Sequence, residues 1–223
     1  MLNNLFSAEV LQETLSIVQG QFLLAFWETL YVTIAAMFFA VVIGLPLGVI
    51  LVVGEKGGLA PLPGWLMKTI NVIINLLRSV PFLILMILLF PFTRAVVGTA
   101  VGTVASIVPL VVAAFPFVAR LVESSLRELN PNIIEMSRSM GASPMQTIIK
   151  VMIAITTILG YTAMSGIVGG GGLGKIAINY GYYRYKYLVM LLAVILLIVI
   201  VQVFQSIGTH LSVKLDKRLK QNH

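Results

Sequence analysis

The sequence has no cysteine, which excludes disulfides, cysteine-ligated metal and a cysteine nucleophile. Acid is almost as scarce: eight Asp and Glu in 223 residues are too few to coat a water-exposed globule. Charged residues of both signs amount to 10%, against about 25% in soluble domains. No basic n-region and no long apolar h-region precede Gly20, and Glu9 and Glu13 stand there instead, so no cleavable signal peptide is expected. Neither an internal repeat nor a low-complexity linker stands out. What remains is apolar: 59% hydrophobic residues and a mean hydropathy of +1.02. A single soluble core of this size cannot hide that much apolar surface, so lipid must cover part of it.

The net charge of +7 invites a nucleic-acid reading, but the basic residues sit in the gaps between apolar runs. Loop charge that sets membrane orientation accounts for them better, and no nucleic-acid partner is expected. Five uncharged or nearly uncharged runs occupy residues 31–53, 70–90, 95–119, 151–168 and 188–207. They predict spans near 22–53, 68–91, 95–121, 148–168 and 187–209. Each must be helical, because a lone strand in lipid leaves its backbone unpaired. The second carries Arg78 and a kink at Pro81; the fourth, at 18 residues, reaches only about 27 Å against a core of about 30 Å. With the carboxyl terminus inside, ten basic residues fall in cytoplasmic segments, four outside and one within a span. The amino-terminal segment, with Glu9, Glu13 and Glu28, has no basic residue to oppose export. An outside amino terminus and a cytoplasmic carboxyl terminus follow.

The sizeable polar segment, residues 122–147, lies between the third and fourth spans and is cytoplasmic in this topology. Asn130 can cap a helix that starts at Pro131 and stops at Gly141. Ile133, Met136 and Met140 form one apolar stripe, with Glu135, Ser137 and Arg138 beside it. Periodicity favours an amphipathic helix on the membrane surface over one docked in a partner's cleft. The run GGGGLGKI at 169–176 mimics two nucleotide motifs and satisfies neither. Ile176 stands where a P-loop needs Ser or Thr, and the next acid after the run is Asp216. A close-packed helix end and turn explains it better. Tyr180, Tyr182, Tyr183, Tyr185 and Tyr187 read as an interfacial aromatic belt, with a binding-protein contact as the alternative. Arg78 is a structural or pathway charge. The predicted spans' apolar runs hold no Asp, Glu or His, which argues against a proton relay.

Glu135 followed by Gly141 resembles the cytoplasmic docking loop of ABC importer permeases, with Met136 and Ser137 in place of two alanines. NLLRSVPFLILMILLFPFTRAVVGT (75–99) and YTAMSGIVGGGGLGKIAINYGYYRY (161–185) resemble the methionine importer permease family in particular. The resemblance implies an all-α membrane protein, one permease domain over 1–223, with five transmembrane helices and a cytoplasmic coupling helix between the third and fourth. It implies a homodimer in the bacterial inner membrane, cytoplasmic ATP-binding subunits that carry ATP and magnesium, and an external lipoprotein that delivers methionine. No cofactor is expected on this chain, which is a transporter subunit and not an enzyme. By the same resemblance Pro131, Ile134, Glu135, Arg138, Met140 and Gly141 contact the ATPase, and Met164 narrows the pathway between two subunits. The chain departs from the family after Met152, where roughly a dozen residues are missing before Gly160. A secondary carrier or channel without an ATPase, a transport-inactive variant and a membrane scaffold are the alternatives.

Overall fold

The computed structural model describes residues 7–58, 60–127, 157–158, 160–162 and 164–215, and among them every regular element is helical. Helix α1, Ala8–Ile17, opens on Ser7, whose hydroxyl accepts from the Val10 N–H at 3.4 Å, a side-chain cap. A π-turn, Val18–Phe22, carries the chain into α2, Leu23–Val53. Pro46 lies inside α2, as membrane helices tolerate. Three helices are long and apolar enough to cross a membrane, at Ala8–Val53, Thr103–Ser124 and Tyr187–Ile207. A fourth candidate is the broken pair α3, Gly64–Ser79, and α4, Phe82–Leu88. The break falls at Val80, extended at ψ 127°, immediately before Pro81, whose ring disfavours helix at the preceding residue. This is the kink expected from the sequence.

One expected run is divided. Residues 95–119 do not form a single helix: α5, Phe90–Val97, ends on Gly98, and α6, Thr103–Arg127, starts five residues later. Gly98 has φ +85° and donates its N–H to the Arg94 carbonyl, a left-handed cap that stops α5. The apolar run conceals this stop because glycine is also common inside membrane helices. The fourth expected span is described only from residue 157. Its described residues are helical to Ser165, and a 3₁₀ turn follows at Gly166–Val168. Beyond it come α7, Gly172–Ile176, a π-turn, Ala177–Tyr182, and α8, Tyr187–Leu215.

The chain divides into two compact units. The first comprises residues 1–36, 82–110 and 157–203. Its buried residues include Phe22, Val32, Leu85, Met86, Leu110, Ile158, Leu173 and Val189, and Phe82 stacks on Tyr161 with ring centroids 4.6 Å apart. The second comprises residues 37–81, 111–156 and 204–223, with a core of Leu51, Met67, Ile74 and Ala119. In it Gly44 and Gly48, one turn apart on α2, pack directly on the backbone of α6. A Cβ built on Gly48 would lie 2.6 Å from the Ala119 carbonyl oxygen, and one on Gly44 would lie 2.7 Å from that of Phe115. Outward-facing Phe38, Phe39, Val42, Leu88 and Ile198 are the apolar surface that a bilayer covers.

Candidate functional site

In the first unit the glycine-rich run is held by polar side chains of α2. The Glu28 carboxylate accepts from the Gly172 N–H at 2.7 Å and from the Thr103 hydroxyl at 2.9 Å. One residue further along each segment, the Leu173 N–H donates to Thr29 Oγ1 at 2.9 Å, while that hydroxyl donates to the Ala25 carbonyl. Two amides at the start of α7, which have no partner within their own helix, are thereby satisfied. Gly172 has φ +82°, and a Cβ there would strike Thr29, so the clasp requires glycine on both counts. Beside it, a Cβ on Gly166 would run into the backbone of Gly174 and Lys175. The run is thus the close-packed turn expected of it, and no phosphate cradle.

The described residues between 157 and 168 show two faces. Ile158, Thr162 and Ser165 recur at helical spacing and are buried; Thr162 lies 3.4 Å from the Thr33 hydroxyl. Gly160, Met164 and Ile167 form the opposite face, where Met164 is 46% exposed and a Cβ on Gly160 would touch nothing. Met164 therefore stands half-exposed beside Gly160, where no described residue lies within 4 Å of a built Cβ. The tyrosine segment is also outward-facing at Tyr182, Tyr183, Tyr185 and Tyr187. Tyr180 differs: its ring carries the Arg184 guanidinium at 4.9 Å, and its hydroxyl accepts from Gln21 at 2.6 Å. Lys186 pairs with Glu13. These contacts tie the amino-terminal helix to the tyrosine turn.

The second unit carries a cluster of charge at the end of α6. Arg120 reaches Glu123 at 2.6 Å and the amide oxygens of Asn71 and Asn75 on α3 at 2.8 and 2.9 Å. Arg127 grips both oxygens of Glu55 at 2.8 and 2.9 Å, and Glu123 at 2.9 and 3.0 Å. Those hydrogen bonds hold the Glu55 carboxyl below the ordinary carboxylate range and raise the Arg127 guanidinium above its own. Arg78 occupies the last turn of α3, exposed, where a cation suits the helix's carbonyl end. No cluster of His, Asp or Glu among the described residues could hold a metal ion.

The family described as binding-protein-dependent transport system inner membrane component matches residues 44–153. The probable D-methionine transport system permease protein MetI of Vibrio cholerae is 45% identical over 210 residues, covering 88% of this chain and 92% of that protein. The chain belongs to this permease family. The MetI of Escherichia coli K12 is 45% identical over 153 residues, covering 63% and 70% of the two chains. A solved inward-facing structure of the MetNI methionine ABC transporter superposes with a TM-score of 0.82 at 40% identity, covering 90% of this chain and 98% of its counterpart. A solved amino acid ABC transporter, at 18% identity and a TM-score of 0.70, shares the fold. Within the Vibrio alignment, 88% of 223 residues is about 196, so about 14 of the 210 aligned positions have no counterpart here.

The permease match includes Glu55, Arg120 and Arg127 together with the segment expected to dock an ATPase. Pro131, Ile134, Glu135, Arg138, Met140 and Gly141 lie outside the described residues, as does the junction at Met152. Two polar clusters went unnoticed in the sequence. Glu28 reads there as part of an acidic amino-terminal segment, but it belongs to α2; the Thr29 and Thr33 pair, four apart in an apolar helix, was the available signal of a polar face. Asn71 and Asn75, also four apart, marked the face that meets Arg120.

Proposed function

We propose that this chain is the membrane-spanning subunit of an ATP-driven importer of methionine or a close relative. The single observation that carries the reading is the 45% identity to a D-methionine permease over 88% of the chain. ATP hydrolysis belongs to separate cytoplasmic subunits, which bind the nucleotide and magnesium, and an external binding protein supplies the substrate. Two copies of the chain enclose the pathway, with Met164 at the constriction; its exposure on a face with Gly160 supports that placement. Five spans per subunit, with the amino terminus outside, complete the reading; the ten-to-four basic asymmetry supports the orientation. The helix expected at 131–141 docks the ATPase, and Arg78 serves as a structural charge at the end of α3.

The test is co-expression with the cognate ATP-binding subunit, purification of the complex and methionine uptake into proteoliposomes. Stable association and uptake dependent on ATP are expected. Uptake without any ATPase would establish a carrier or channel instead. A transport-inactive form is the second reading, favoured by the positions missing against the Vibrio permease; a complex that assembles but moves no methionine would establish it.

A further inference from the structure

Three helices meet in one charged network at the exit of α6. Arg127, the last residue of α6, uses all three guanidinium nitrogens. Two of them form a fork on Glu55, in the turn after α2, and such a bidentate pair fixes both distance and plane. The other grip, on Glu123, stays within α6 and is shared with Arg120, which passes the linkage to Asn71 and Asn75 of α3.

The two grips differ in kind. The Glu123 side chain is 11% exposed and bound by both arginines, whereas Glu55 is 51% exposed and Arg127 45%. Breaking the inner grip strands a buried carboxylate; breaking the outer one returns two groups to water at small net cost. The fold does not need the outer grip, because Leu51, Met67, Ile74 and Ala119 already pack these helices together. It has the character of a contact that opens and closes.

Resting on the importer reading above, we propose that the Arg127–Glu55 fork is the joint through which displacement of the chain leaving α6 is passed to α2 and α3. Arg127 and Glu55 are positioning residues of the transport cycle: they touch neither substrate nor nucleotide. A joint of this kind is a two-state element, closed in one conformation of the cycle and open in another.

The experiment measures methionine uptake and ATP hydrolysis together in proteoliposomes of the whole complex. Wild type is compared with Glu55→Gln, Arg127→Gln, the double variant and Glu55→Asp. Glu55→Gln is expected to retain its ATPase subunits and melting temperature while methionine moved per ATP falls about fivefold or more. Arg127→Gln, which also takes one of two arginines from the buried Glu123, should lower that ratio equally and the melting temperature as well. The double variant should be no worse than the worse single, and Glu55→Asp should recover part of the ratio. An unchanged ratio in Glu55→Gln, or a loss there that tracks a lowered melting temperature, would overturn the joint alone. A wild-type chain that binds no ATPase would overturn the importer reading and the joint with it.

Discussion

The contact between Gly44, Gly48 and α6 admits a worked substitution. Gly48→Ala places a methyl 2.6 Å from the Ala119 carbonyl oxygen and 2.6 Å from Val122 Cβ. Ordinary contacts lie at about 3.5–4.0 Å, so α6 must retreat by about 1 Å or the methyl is strained. Both obstacles are a backbone oxygen and a β-branched carbon, neither of which can swing aside. Overpacking of this kind costs about 1–3 kcal/mol. Against it stands the gain of alanine over glycine inside a helix, about 0.5–1 kcal/mol. Those two ranges leave a net loss between about 0 and 2.5 kcal/mol, and the steric cost wins at their midpoints by about 1 kcal/mol. Gly44→Ala, facing the Phe115 carbonyl at 2.7 Å, should behave alike. The double variant should cost less than the sum, because one displacement of α6 relieves both sites. Thermal unfolding of the detergent-solubilised protein reads the effect, with Gly64→Ala as control, since a Cβ there meets nothing within 4 Å. A Gly48→Ala protein as stable as the Gly64→Ala control would refute the close-packing account.

Other substitutions test the remaining contacts. Glu28→Ala leaves the Gly172 amide and the Thr103 hydroxyl without their acceptor, a loss of about 1–3 kcal/mol in the same assay, with Glu28→Gln intermediate; neutrality would exclude the clasp. Glu55 has a folded pKa below its unfolded value of about 4.5, so its contribution is complete above that value and disappears as pH falls through the folded one. The difference in melting temperature between wild type and Glu55→Gln should therefore be small at neutral pH and close in acid; a gap that widened in acid would reverse the sign. Met164→Cys should cross-link two subunits on oxidation if the constriction brings the Cα atoms within about 7 Å. Cross-linking at Gly20→Cys but not at Met164→Cys would place the dimer axis elsewhere.

The long elements were legible because lipid imposes a simple grammar. Runs of uncharged residues located α2, most of α6 and α8, and Pro81 located the break between α3 and α4. The division at Gly98 was not legible, since only its positive φ distinguishes it from a glycine inside a helix. Hydropathy reports how apolar a segment is and carries no information about pairing. Glu28 meets Gly172 across 144 residues and Arg127 meets Glu55 across 72, so neither contact leaves a local pattern. The glycine content of the run at 169–176 did mark the close-packed turn around Gly172.

The separation between Glu28 and its partners also orders events on the ribosome. A chain grows at about 5–20 residues per second, so roughly 7–30 s pass between synthesis of Glu28 and of the Gly172 amide that it holds, 144 residues later. Thr103 becomes available about halfway through that interval, 75 residues after Glu28. Until then the carboxylate must stay hydrated or be shielded by the insertion machinery, because hydrocarbon offers it no donor. An early helix of the chain thus carries a carboxylate whose partners are among the late ones to be made. Truncated nascent chains ending before residue 172 should leave Glu28 open to aqueous reagents, while slightly longer ones withdraw it.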